Sequence, residues 1–90
     1  MHYILFYKTV ENYFERRAPF RGEHLDLVQS FHADGRLVMA GALADPPDAA
    51  ILIFKGDSPH AAEEFVRNDP YIKNGLITEW SIRQWNVVTD

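Results

Sequence analysis

Apolar and polar residues alternate along the chain in two different periods, which predict four strands and two helices. Residues 3–7 are aromatic or branched and apolar at nearly every position, as in a strand covered on both faces. Residues 19–34 follow the period of an amphipathic helix, with His24, Val28 and Phe31 in one narrow sector. The predicted order is strand 3–7, helix 19–34, strand 36–43, strand 49–55, a helix from Ser58 to just before Asn68, and strand 76–88.

Prolines and glycines mark the ends of these elements. Pro19 suits the first turn of the first helix, where an amide hydrogen has no helical partner. Gly35 follows the last periodic residues of that helix, where a left-handed cap is usual. Two prolines within residues 45–48 predict a loop, and Ser58 is expected to cap the second helix. Residues 11–17 are predicted to form a short connector or a helical turn.

The order β-α-β-β-α-β predicts one ferredoxin-like α+β domain over residues 1–90, with a four-stranded antiparallel sheet and both helices on one face. The first three strands are apolar on both faces, so the helices leave an apolar face open, and such a face marks an interaction surface. The pattern therefore predicts a homodimer through the open sheet face, a dimeric α+β barrel. Trp80 and Trp85 on the last strand lie either in that contact or in the monomer core.

Composition argues against several classes of function. The net charge is −4 and the basic residues are scattered, unlike the clustered positive charge of proteins that bind nucleic acid or anionic membranes. The chain has no cysteine, so it offers no disulfide, thiolate nucleophile or cysteine-based zinc site. No apolar run approaches the roughly 18 residues of a membrane span, and the first residues do not have the pattern of a signal peptide. We expect a cytoplasmic protein with a small-molecule ligand.

His24 lies within the apolar stripe of the first helix, and this position needs an explanation. An inward-facing imidazole requires either a buried hydrogen-bond partner or a pocket that a ligand enters. Arg21 lies one turn away on the same helix edge, so the two side chains could hold an anion, or Arg21 could be a solvated cation. Asp69 lies beside Tyr71 in a turn locked by Pro70. It could orient the imidazole as a general base, or it could simply belong to a common Asp-Pro turn.

The other histidines do not predict a metal site. His2, His32 and His60 have no metal-binding spacing with His24, and a helical pair would need a histidine where Val28 stands. The sequence also contains no glycine-rich phosphate loop. It therefore predicts neither a metal nor a cofactor.

Several short motifs occur in an order and spacing that resemble the YciI-like, or YCII-related, proteins. They are Arg21-Gly22-Glu23-His24-Leu25, His32-Ala33-Asp34-Gly35-Arg36-Leu37, Ala40-Gly41, Asp69-Pro70-Tyr71 and a strand after Gly75. The resemblance covers nearly the whole chain and implies a ferredoxin-like fold assembled as a dimeric α+β barrel. It also implies an active site centred on His24 and Asp69, with Arg21 and Tyr71 at neighbouring pattern positions. The loop at residues 45–48 is shorter than in the better-known members.

One branch of that family is similar to dehydrochlorinases acting on chlorinated hydroxyquinones, so the resemblance implies an elimination reaction. The first hypothesis is a cofactor-independent enzyme in which His24, oriented by Asp69, is general base or acid on a small hydroxylated aromatic substrate. Arg21 and Tyr71 would bind the developing anion. One alternative is a non-catalytic small-ligand binding or accessory module in which His24 and Asp69 are a buried polar pair. Another is a cofactor-free monooxygenase of the dimeric-barrel type.

Overall fold

A computed structural model of the protein describes residues 1–89, and its elements follow the predicted order β-α-β-β-α-β. The strands are β1 (His2–Thr9), β2 (Leu37–Ala42), β3 (Ala49–Lys55) and β4 (Ile77–Trp85). The helices are the single turn α1 (Tyr13–Arg16), α2 (Arg21–Ala33), α3 (His60–Asn68) and the single turn α4 (Pro70–Lys73). This is the ferredoxin-like α+β fold that the sequence predicts. Within the described residues no helix is long and apolar enough to cross a membrane.

The four strands pair antiparallel in the order β2-β3-β1-β4, so β2 and β4 are the edges of the sheet. Leu5 in the middle of β1 lies opposite Leu52 of β3 and Ile82 of β4. Because directly opposed residues project from the same face, this register assigns every strand residue to a face. The face that packs against the helices carries the side chains of Tyr3, Leu5, Tyr7, Ala50, Leu52 and Phe54.

Three phenylalanines attach the two longer helices to this face. Phe31 of α2 and Phe65 of α3 meet edge to face with 5.3 Å between their ring centroids, and Phe54 of β3 lies 5.6 Å from Phe65. Each such aromatic pair contributes about 0.5–1.5 kcal/mol beyond the burial of its apolar area. This packing fixes α2 and α3 against the same region of the sheet, and the candidate site lies beside it.

The structure confirms most of the predicted boundaries to within one or two residues, but β4 ends at Trp85 rather than at residue 88. The predicted place of Pro19 in the first turn of the first helix is wrong, because Pro19 lies in a 3-10 turn, Ala18–Phe20, and α2 begins immediately after that turn. Gly35 has a φ of 81°, as expected for the left-handed cap that ends α2. At the start of α3, the hydroxyl of Ser58 accepts a hydrogen bond of 3.3 Å from the backbone N–H of His60. Ser58 does not occupy the N-cap position, however, because that position is Pro59 and has no side-chain capping bond, so the predicted N-cap is one residue too early.

The other face of the sheet is apolar and exposed, as the strand pattern predicts. Phe6 is 42% exposed and Met39 is 61% exposed. Around them lie the half-buried side chains of Ile4, Ile51 and Ile53.

The two tryptophans do not lie in the monomer core, so that alternative is wrong. Trp80 and Trp85 are 49% and 44% exposed, because β4 is an edge strand with a neighbour on one side only. Trp85 is opposite His2 and so projects from the open face, whereas Trp80 is opposite Tyr7 and projects from the helix face.

Candidate active site

The structure brings His24 of α2 into contact with Asp69, which lies between α3 and α4. His24 Nδ1 is 2.8 Å from Asp69 Oδ1; the aspartate side chain is fully buried and that of the histidine is 13% exposed. An ionised carboxylate can only accept hydrogen bonds, so this contact places a proton on Nδ1. In the neutral ring, Nε2 then carries the lone pair that can take up another proton.

Asp69 accepts hydrogen bonds from three donors. Besides His24, the backbone N–H of Tyr71 donates to Oδ1 at 3.0 Å, and the hydroxyl of Tyr7 donates to Oδ2 at 2.7 Å. A buried carboxylate is tolerated only when such partners replace its lost water. Burial, together with the adjacent charge of Asp69, raises the pKa of Tyr7 far above its ordinary value. The Tyr7 hydroxyl therefore keeps its proton and remains a donor.

Local backbone geometry explains why Asp69 is available at this corner. Asp69 ends α3 in an extended conformation with ψ of 117°, because the residue before a proline is disfavoured in the helical region. Pro70 then begins α4, and the Asp69 side chain caps that turn through the N–H of Tyr71. The sequence predicted a proline-locked turn here and missed the short helix. The cap holds the carboxylate in the position at which it meets His24.

Aromatic contacts fix the plane of the His24 ring. It stacks on Tyr71 with 3.7 Å between centroids and 6° between planes, and it meets Phe65 at 86° with centroids 6.1 Å apart. The Tyr71 hydroxyl is buried, and no group in residues 1–89 forms a hydrogen bond with it. Burial raises the pKa of Tyr71, while the positive charges of Arg17 and Arg21 oppose that rise.

A cavity of about 160 Å³ lies between α2 and the strands β1, β2 and β3. Its polar wall consists of Tyr7, Tyr13, Arg17, Arg21 and His24. Its apolar wall consists of Leu25, Val28, Ala40, Gly41, Ala42, Ala50 and Leu52. An apolar pocket with a few convergent polar groups at one side is typical of a small-molecule site.

A larger hollow of about 470 Å³ lies on the open face of the sheet, around Phe6 and Trp85. It contains neither His24 nor Asp69, and its apolar lining belongs to the exposed sheet surface. We therefore assign the candidate active site to the smaller cavity, because that is where the oriented imidazole lies.

The predicted site residues take different positions around the cavity. Arg21 and His24 line it together, and Asp69 lies behind His24. Tyr71 also lies against the imidazole rather than on the lining of the cavity, so its role in binding substrate stays a prediction. Across residues 1–89, no group of three or more histidine, aspartate or glutamate side chains is arranged to hold a metal ion.

Sequence reasoning missed three residues of the polar wall: Tyr7, Tyr13 and Arg17. The sequence did contain a signal for Tyr7. It shares the inward face of a strand with Tyr3 and Leu5, and a buried hydroxyl needs a hydrogen-bond partner. Arg17 is the last residue of the predicted connector 11–17, where no periodicity indicates the direction of a side chain.

A ferredoxin-like α+β fold with a buried histidine-aspartate pair beside a small cavity defines the class of this protein. The chain belongs to the YCII-related domain family, whose model matches residues 1–86. The family resemblance drawn from the short motifs is confirmed.

Two curated relatives match nearly the full length. The chain is 28% identical over 97 residues to Protein YciI of Escherichia coli, covering 98% of this chain and 99% of that protein. It is 27% identical over 97 residues to an uncharacterized protein of Haemophilus influenzae, again covering 98% of this chain and 99% of the relative.

Among solved structures, the chain is similar to 5-chloro-2-hydroxyhydroquinone dehydrochlorinase (TftG) from Burkholderia phenoliruptrix in complex with 2,5-dihydroxybenzoquinone. The TM-score is 0.78 at 20% identity, covering 96% of this chain and 94% of the other. At this level of identity, the similarity establishes a shared fold.

Proposed function

We propose that the protein is a cofactor-independent enzyme in which His24 transfers protons to and from a small hydroxylated ring substrate. The observation that carries this proposal is the contact of 2.8 Å between His24 Nδ1 and the buried carboxylate of Asp69, beside the cavity. The carboxylate fixes one tautomer of the ring and stabilises the imidazolium that forms when Nε2 takes up a proton. This is the arrangement that a general base requires near neutral pH.

The class of reaction follows from what the site can supply. A histidine can take a hydroxyl proton from the ring and return it to the carbon that carries a leaving group. Loss of that group with its bonding electrons, and of a second hydroxyl proton, then gives a quinone. The net change is loss of HX, so the reaction consumes no oxidant. Arg21, on the same cavity wall, would bind the oxygen on which negative charge develops, and Tyr71 is its proposed companion.

The fold neighbour supports this choice of substrate. Its name gives a chlorinated hydroxyhydroquinone as its substrate, and its complex contains a dihydroxybenzoquinone. For this chain we propose only the class of substrate, which is a single hydroxylated ring that carries a halide.

Chloride release from 5-chloro-2-hydroxyhydroquinone tests the proposal. We expect the unmodified protein to release chloride above the spontaneous rate, and we expect His24→Gln to lower that rate by at least about 100-fold, the usual contribution of a general base. His60→Gln is the matched control, because His60 is exposed and its side chain is absent from the cavity wall. An unchanged rate in His24→Gln, or no release by the unmodified protein, would contradict the proposal.

A small-ligand binding module is a second candidate, and the position of Asp69 favours it. This carboxylate also caps α4 and joins β1 through Tyr7, so it has a structural role with or without chemistry. Binding of 2,5-dihydroxybenzoquinone without chloride release from the chlorinated ring would identify the module.

We also propose that two copies of the chain pack through the open sheet face. Phe6 and Met39 are exposed next to the half-buried isoleucines of this face, and a second sheet would cover both. Covering this area in a symmetric pair would add burial that a chain of 90 residues cannot achieve alone.

A further inference from the structure

We propose that the cavity binds the anionic form of its ring ligand, and that Arg17 acts with Arg21 to hold the oxygen atoms on which negative charge develops during the reaction. This inference rests on the proposed function, because it specifies the charge that the ring acquires at the same site. Arg17 is the residue to which we assign a new role. It directly follows the helical turn α1, at the end of the residues that the sequence predicts as a connector or a helical turn, and it lines the cavity.

The charge of the cavity is opposite to that of the chain. The protein has 13 acidic and 9 basic residues, a net charge of −4, yet among residues 1–89 two guanidinium groups and an imidazole line the cavity and no carboxylate does. Asp69 lies behind His24 and its charge is already shared among three hydrogen-bond donors. A ligand in the cavity therefore meets positive charge, which favours an anion.

Neither guanidinium has an acidic partner among the described residues. Within residues 1–89, the ion pairs closer than 4.0 Å involve His24 and Arg36, and the latter contacts two carboxylates. Arg17 instead lies over aromatic rings, 4.3 Å from the centroid of Phe14 and 5.3 Å from that of Tyr13. Contact with ring faces positions the Arg17 guanidinium, and no carboxylate of residues 1–89 pairs with it, so its charge can act on the oxygen atoms of a ligand.

The size of the cavity limits the body of the ligand. Its volume is about 160 Å³, and a protein cavity of about 150 Å³ is known to accommodate benzene. The rest of the lining is apolar and includes Leu25, Val28 and Leu52. A flat single ring with an acidic oxygen fits both walls. Hydroxyquinones have this chemistry, because a hydroxyl conjugated through the ring to a carbonyl is as acidic as a carboxylic acid.

An anion site at this position also favours the reaction itself. Loss of HX turns a weakly acidic phenol into a strongly acidic hydroxyquinone, so negative charge on oxygen grows along the reaction. Interactions that strengthen as the charge develops lower the barrier more than they tighten substrate binding. We therefore expect Arg17 to contribute to turnover as well as to affinity.

Calorimetric binding of two probes tests the inference. The anionic probe is 2,5-dihydroxybenzoquinone and the neutral probe is hydroquinone, which has the same ring. We expect Arg17→Gln to weaken binding of the anion by about tenfold or more, and binding of hydroquinone by less than about twofold. Arg16→Gln is the matched control, because Arg16 is the exposed neighbour of Arg17 and does not line the cavity. It should leave both affinities unchanged.

Three results would overturn the inference: equal affinity of Arg17→Gln and Arg16→Gln for the anion, an equal loss for both probes, or no binding of the anion to the unmodified protein at millimolar concentration. Arg17→Lys, which keeps the charge, should bind the anion more tightly than Arg17→Gln even if both variants are less stable. Because binding is read without turnover, the two proposals fail separately. Anion binding without chloride release contradicts only the enzyme, and His24-dependent release with normal anion binding by Arg17→Gln contradicts only this inference.

Discussion

The carboxylate of Asp69 is fully buried, yet both of its oxygen atoms accept hydrogen bonds. Removing such a charge from water costs several kcal/mol, and each hydrogen bond to a charged group returns roughly 1.5–3 kcal/mol. Tyr7 supplies the bond to Oδ2, on the side away from the oxygen that contacts His24. The geometry of the His24–Asp69 pair thus depends on a residue that has no hydrogen bond to the imidazole.

Replacing Tyr7 by Phe should lower the free energy of unfolding by about 1.5–3 kcal/mol at neutral pH. The ring still fills its place in the core, so the loss arises because a buried carboxylate has one donor fewer. Urea denaturation measures the change. Tyr3→Phe is the control, because Tyr3 is buried on the same face of β1 and has no hydrogen bond to Asp69.

The difference between Tyr7→Phe and the unmodified protein should shrink at high pH. A tyrosine in the unfolded chain ionises near pH 10, about its ordinary value, whereas the folded state holds the proton of Tyr7 to higher pH. The stabilisation is complete below the unfolded pKa and is lost as pH rises from there toward the folded pKa. A cost that stays constant from neutral pH to pH 12, or one no larger than that of Tyr3→Phe, would contradict this account of Tyr7.

At the scale of elements, α2 and α4 end in the same backbone arrangement. Gly35 after α2 and Gly75 after α4 both have positive φ, 81° and 73°. In each case, the backbone N–H of the residue after the glycine donates a hydrogen bond to the carbonyl oxygen five residues earlier. Arg36 N–H donates to Phe31 O, and Leu76 N–H donates to Tyr71 O. This is the Schellman arrangement, which turns the chain sharply into the next strand. The turns direct β2 and β4 away from the helices that carry the site.

Alanine substitutions at two glycines of the α2 region should change stability in opposite directions. Gly35→Ala places a side chain in the left-handed region and should cost about 1–2 kcal/mol. Gly22→Ala lies inside α2, where an added methyl group meets open space, and should gain up to about 1 kcal/mol. Urea midpoints compare the two directly. Loss of stability in both variants would show that the helix end is not controlled by the conformation of Gly35.

Local periodicity predicts the elements better than it predicts the contacts between them. The stripe of α2 placed His24 inward and Gly35 at the helix end, and both positions depend only on neighbouring residues. Tyr7 reaches Asp69 across 62 positions of sequence, so no local pattern indicates their hydrogen bond. Residues 70–73 were assigned to a turn because four residues are too few to show a helical period. The turn residues offer Asp69 as one possible partner of His24, and the family resemblance implies the pairing.

At the scale of the whole molecule, the proposed chemistry and the proposed assembly use different faces of the sheet. Its helix face holds the cavity and the buried pair, whereas its open face presents Phe6 and its apolar neighbours to solvent. A contact on the open face would leave the cavity wall formed by α2 untouched. The proposed assembly and the proposed chemistry can therefore be altered independently by substitution.

Phe6→Asp tests the proposed dimer. The side chain projects from the open face, opposite Ile51 and Ser81, so a charge there should leave the monomer folded but should be costly to bury between two sheets. By sedimentation equilibrium, we expect the unmodified protein to have twice the 10.4 kDa mass of the chain and Phe6→Asp to have the monomer mass with an unchanged circular dichroism spectrum. Val88→Asp is the control: Val88 is 95% exposed beyond the end of β4, so it should stay dimeric. A monomeric unmodified protein, or a dimeric Phe6→Asp, would show that the open face is not the contact.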